Sequence, residues 1–117
     1  MILSEQIKKI EYSQGPHSYD AAPVSKEIID RAYEVAKRYQ SLCELFKLRW
    51  EDPKVSTDDI GNVVFDWAKH NKALSLYITR GYVYYIKAWG PSVLEDMSDD
   101  YVNDDADAVK ILSWIFE

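Results

Sequence analysis

The chain has 117 residues, of which 47% are apolar, 29% charged and 14% aromatic, with a formal net charge of -6. This is the length of one domain that buries something over 60% of the surface its unfolded form exposes, and the composition excludes disorder along the whole chain. Charged residues interrupt every apolar run well short of the roughly 18 residues a membrane span needs, and nothing in the charge balance suits contact with a phosphate backbone.

In chain order, Ile2, Leu3, Ile7 and Ile10 have a spacing that suits a short helix, and residues 12 to 22 read as irregular chain. After Pro23 the pattern is clearer. Ile28, Ala32, Val35, Ala36, Tyr39, Leu42, Cys43 and Phe46 recur at three-four spacing, with Lys26, Glu27, Asp30, Arg31, Glu34, Lys37, Arg38 and Glu44 largely on the other side. The pattern predicts a helix over about 25 to 48, capped by the Ser25 hydroxyl and bounded beyond its end by Pro53.

After Gly61 the period changes from 3.6 to 2. NVVFDWA, LSLYIT and YVYYIKA are rich in β-branched and aromatic residues and are separated by KHNK and Arg80-Gly81, the pattern of an antiparallel three-stranded meander. Toward the end, Asp104 or Asp105 can cap a second helix whose apolar side carries Ala108, Ile111, Leu112, Ile115 and Phe116. Three strands cannot enclose a core alone. The expected fold is therefore a single α+β domain over 1–117: a two-layer arrangement in which a long N-terminal helix packs on a three-stranded antiparallel meander, with a short C-terminal helix.

A two-residue loop at Arg80-Gly81 sets Thr79 opposite Tyr82. Leu74, Leu76 and Ile78 then share a face with Val83, Tyr85 and Lys87, and that aliphatic face should meet the helix. Tyr77, Tyr82 and Tyr84 point away from it, as sheet residues wetted at their hydroxyls or as a docking surface. For the first strand, alternation alone does not decide between Val63, Phe65, Trp67 and Val64, Asp66, Ala68 as the helix-facing set.

The acidity is local. From Glu95 to Asp107 there are seven acids and no Lys or Arg, which leaves 13 acids against 14 bases in the rest of the chain. This stretch reads as a solvated charged segment, and it repels nucleic acid and suits a basic protein partner.

Catalytic signals are thin. Cys43 lies on the apolar side of the long helix and reads as a structural thiol. His17 and His70 lie in predicted loops without further ligands at metal spacing. Asn103-x-Asp105-x-Asp107 has Ala108 where a calcium loop needs glycine and Trp114 where it needs glutamate, so it reads as a helix start. No phosphate loop or nucleophile elbow is found. No cofactor, metal or catalytic residue is expected. The lone cysteine excludes an intramolecular disulfide, and with no basic leader ahead of an apolar run a cytoplasmic location is expected.

Two segments together resemble a widespread set of small bacterial proteins. SYDAAPVSKEIIDRA (18 to 32) is similar to their aromatic, Asp, small residue, Ala-Pro and helix pattern, and GNVVFDW (61 to 67) to the Gly-x-Val-x-acidic-Trp strand that follows it. Tyr19, Asp20 and Ala21 stand where that set carries Trp-Asp-Gly. The resemblance implies the helix-then-meander order and no mechanism.

The leading functional expectation is a non-catalytic protein-binding domain with a basic protein partner. The special case is an inhibitor or antitoxin-like protein that occupies a nucleic-acid-binding surface. Its candidate contacts are Tyr77, Tyr82, Tyr84, Glu95, Asp96, Asp99, Asp100 and Asp104. One rival is a small-molecule-binding or enzymatic domain with a pocket of Trp67, Tyr77, Tyr85 and Trp89 beside Asp66. Another is a structural homodimer.

Overall fold

The structure, a computed structural model, describes residues 3–12, 24–90 and 96–117. Among them are three helices and five strands: α1 (Leu3–Tyr12), α2 (Lys26–Leu45), β1 (Lys54–Thr57), β2 (Val63–Lys69), β3 (Lys72–Ile78), β4 (Val83–Trp89), β5 (Asp96–Val102) and α3 (Asp105–Phe116). The α+β class holds, and the central meander is β2–β3–β4. The sheet, however, is a five-stranded antiparallel meander in the order β1-β2-β3-β4-β5. The long helix is also the second of three, following α1. Of the irregular chain expected over 12 to 22, Tyr12 is instead the last residue of α1, and residues 13 to 22, with Tyr19-Asp20-Ala21, fall outside the described residues.

α2 begins as its sequence suggests, with the Ser25 hydroxyl accepting from the Ile28 amide at 3.2 Å. It stops short of residue 48 because Lys47 turns left-handed, at φ 58°. The Leu48 amide then donates to the Cys43 carbonyl at 2.8 Å and the Lys47 amide to the Glu44 carbonyl at 3.3 Å, a Schellman closure with lysine where glycine is usual. α3 is capped by Asp104, whose carboxylate accepts from the Asp107 amide at 2.8 Å, while Asp107 reaches back to the Asn103 amide at 3.0 Å. This pair confirms a helix start over 103–107. Among the described residues no His, Cys, Asp and Glu side chains group to hold a metal.

The β3–β4 hairpin has the expected two-residue loop. Thr79 N donates to the Tyr82 carbonyl at 3.0 Å, and the Thr79 hydroxyl bonds the same carbonyl at 2.8 Å and accepts from the Tyr82 amide at 3.1 Å. The register that follows pairs Ile78 with Val83, Tyr77 with Tyr84 and Leu76 with Tyr85. In β2 it is Val63, Phe65 and Trp67 that join Leu74, Leu76, Ile78 and Val83 in the core under α2 and α3. α1 adds Leu3, Ile7 and Ile10 to the same core, a contribution the expected arrangement of one long and one short helix lacked. Full burial of such side chains contributes about 1.5–3 kcal/mol each.

Lys72 and Lys87 lie on this helix-facing side at its far end, and both ammonium groups sit 5.3 Å from the Trp114 ring. Lys72 also donates to the Trp114 carbonyl at 2.9 Å, so the sheet supplies the positive charge that the last turn of α3 lacks.

Candidate functional site

The face of the sheet turned away from the helices carries the candidate surface. Register places Tyr77, Tyr84 and Tyr101 side by side across β3, β4 and β5, with Tyr82 just before β4 and two residues from Tyr84. Their rings touch in sequence: Tyr77 to Tyr84 at 6.4 Å between centroids, Tyr84 to Tyr101 at 5.3 Å, and Tyr101 to Tyr82 at 5.1 Å and 82° between planes. Edge-to-face pairs of this kind contribute about 0.5–1.5 kcal/mol beyond burial. Even so, Tyr82 and Tyr101 each remain 48% exposed.

The segment expected to be a solvated charged loop is instead β5. Its sequence, DMSDDYV, is poor in strand-forming residues, and its conformation comes from pairing with β4 along its full length. Alternation then divides the acids. Asp99 shares the outer face with Met97 and Tyr101, and its carboxylate accepts the Tyr84 hydroxyl. That bond, more than any other cause, pushes the Tyr84 phenol up to about 12. Asp96 and Asp100 have the opposite parity, on the side of Val102, and the Asp100 carboxylate folds round to accept the Tyr101 amide at 2.7 Å. Asp104 is at the cap of α3. Glu95 lies outside the described residues.

Thus Tyr77, Tyr82, Tyr84 and Asp99 come together, and Asp96, Asp100 and Asp104 border them without joining the tyrosine row. The sequence reading missed Tyr101, which completes the row, and Asp58 and Ile60 from the β1–β2 turn. With Tyr77, Tyr82, Tyr84 and Tyr101, these two line an open cavity of about 360 Å³. Had 96–102 been read as a strand, the spacing Met97, Asp99, Tyr101 would have put Tyr101 beside Tyr84.

The alternative aromatic pocket is not assembled. Trp67, Tyr85 and Trp89 lie on the helix side of the sheet, and Tyr77 and Asp66 on the other. Trp67 is buried, with Trp50 at 5.7 Å and Phe116 at 5.8 Å, and donates its indole N–H to the Glu51 carbonyl at 2.7 Å. Asp66 accepts the Ser75 hydroxyl across the strands. Cys43 is buried, which pushes its thiol up to about 11 and leaves it protonated at neutral pH. No described helix is long and apolar enough to cross a membrane.

Comparison with protein-family models, curated proteins and solved structures finds no match for the chain.

Proposed function

We propose that the chain is a non-catalytic protein-binding domain that docks a basic partner on the outer face of its sheet and along β5. The observation that carries this reading is the coincidence, on one strand and its neighbours, of exposed aromatic area with aspartates that form no ion pair among the described residues. β5 holds three aspartates and no base, and Tyr82, Tyr101 and Met97, at 48%, 48% and 58% exposure, lie on or beside it. Tyrosine supplies stiff contact area at low entropic cost, and carboxylates at the rim steer and select a positive partner. A partner whose basic surface binds nucleic acid fits this description, and the domain would then act as its inhibitor by occupying that surface.

The test is affinity capture by the intact protein from the cells that make it, followed by binding measurements with the recovered partner at low and high salt. Binding should weaken steeply as salt rises, and Asp96→Asn/Asp99→Asn/Asp100→Asn should weaken it at low salt. Salt-independent binding, or binding unaffected by the triple substitution, would overturn the acidic-surface reading.

A further inference from the structure

We propose that the tyrosine cavity is a cation site, and that it receives an arginine side chain of the partner as the anchor of the complex. This rests on the protein-binding reading above and adds the chemistry of its central contact.

Four phenol rings, Tyr77, Tyr82, Tyr84 and Tyr101, line the cavity of about 360 Å³. They stand at 55° to 82° to their neighbours in the row, so their faces point in different directions, as the walls of a cage do. The face of an aromatic ring carries negative quadrupolar charge and attracts a cation.

Two carboxylates add to this field. Asp58, in the wall, accepts from the Ile60 amide at 3.1 Å, the Asn62 amide at 2.8 Å and the Asn62 side chain at 2.9 Å. Its lone pairs are engaged by its own turn, and it contributes a fixed negative charge. Asp99 stands beside the wall through its bond from Tyr84, made to Oδ2. Among the described residues no hydrogen bond reaches Asp99 Oδ1, so that oxygen remains for a donor.

No Lys, Arg or His is among the described residues that line the cavity. Arg80, in the hairpin loop next to Thr79, is instead 3.3 Å from Glu27. An anion would meet two like charges, and a neutral apolar group would strip water from carboxylates without replacing it. A guanidinium suits the site better than an ammonium, because its plane stacks on phenol faces while its edge donates to a carboxylate.

The experiment is an NMR titration of the full chain with the peptide Gly-Ser-Arg-Ser-Gly, against the same peptide carrying citrulline, which keeps the shape and removes the charge. The arginine peptide should give saturable shifts at the ring resonances of the four tyrosines. The citrulline peptide should bind about tenfold more weakly or less, as should the arginine peptide to Tyr82→Leu/Tyr101→Leu, which keeps apolar bulk and removes two π faces. Equal shifts from both peptides, or none at the tyrosines, would overturn the proposal. So would tetramethylammonium binding more tightly than the arginine peptide, which would indicate a free small cation as the ligand. The two readings fail separately. A recovered partner held equally by wild type and the leucine variant, yet lost with the triple asparagine variant, removes the arginine anchor and leaves the acidic docking surface in place.

Discussion

At the β1 edge of the sheet a glutamine takes two outward backbone groups, whereas at the β5 edge a carboxylate takes one. Alternation of the ladder from the closed hairpins turns Val55 N–H and Pro53 C=O outward on one side, and Met97, Asp99 and Tyr101 outward on the other. Gln6 of α1 spans the first pair: its side-chain oxygen accepts from Val55 N at 2.9 Å and its nitrogen donates to the Pro53 carbonyl at 2.8 Å. A single carboxamide thus bonds β1 as a peptide unit of a sixth strand would. On β5, Asp100 blocks the Tyr101 amide with its own carboxylate at 2.7 Å, and Asp96 and Asp99 charge the rest of the strand.

An open edge invites another strand, and both devices answer that hazard. They differ in what they leave open. A covered edge refuses every strand. A charged edge refuses chiefly a strand of like charge, including β5 of a second copy, and remains open to a basic one. The closed edge is architecture, and the selective edge lies beside the candidate site.

Parity along β5 decides which substitutions the charged edge tolerates. Ser98 pairs with Lys87 in the bonded rungs of the ladder, whereas the Met97 amide points outward. Ser98→Pro should therefore cost about 3 kcal/mol, by removing a rung and leaving its partner unpaired. Met97→Pro should cost under about 1 kcal/mol, since an edge strand tolerates proline where its amide faces solvent. Urea unfolding midpoints check both. Equal costs would mean that β5 is not held in this register.

Next in size is the closed edge. Gln6→Ala removes two hydrogen bonds and leaves an amide and a carbonyl to find water, for an expected loss of about 1–2 kcal/mol in the same assay. A variant as stable as wild type would show that Gln6 covers β1 without supporting it. Smaller in stability, and different in kind, is neutralisation of the selective edge. Asp96→Asn/Asp99→Asn/Asp100→Asn takes away three of the six net negative charges, and light scattering should show greater self-association than wild type at equal concentration. Unchanged mass would argue that charge is not what keeps copies of this edge apart.

These edges are also where the sequence was hardest to read. The long helix, the two-residue hairpin loop and the aliphatic helix-facing set were legible because period, cap and turn chemistry agree at each. β1 is four residues long, too short for alternation to register. β5 reads as a polar segment because Asp96, Asp99 and Asp100 occupy it, and it becomes a strand only because β4 offers a ladder to pair with. The same error hid half of the candidate site: Tyr77, Tyr82 and Tyr84 could be placed by alternation within one hairpin, but Tyr101 needs the register of a strand pair, and Asp58 needs the turn before β2. Gln6 has no local signature either, since its partners lie 47 and 49 residues away.

The smallest effect tests how Asp99 divides its carboxylate between the edge and the tyrosines. The Tyr84 hydroxyl donates to it, and the phenol is held up to about 12, against about 10 for an ordinary tyrosine. Because the folded value is the higher one, this contribution to folding is fully present below pH about 10 and is lost as pH rises through about 12. A phenolate absorbance titration of wild type should show late-ionising tyrosines, Tyr84 together with Tyr39 and Tyr85, whose phenols burial also pushes up, and Asp99→Asn should bring the step that Tyr84→Phe removes down toward the ordinary value. The amide oxygen can still accept the bond, but the negative charge that opposed ionisation is gone. If the late step stays in place in Asp99→Asn, then Tyr84 is held by burial or by Tyr101. Asp99 would in that case be free of the tyrosine row and belong wholly to the edge, as Asp100 does.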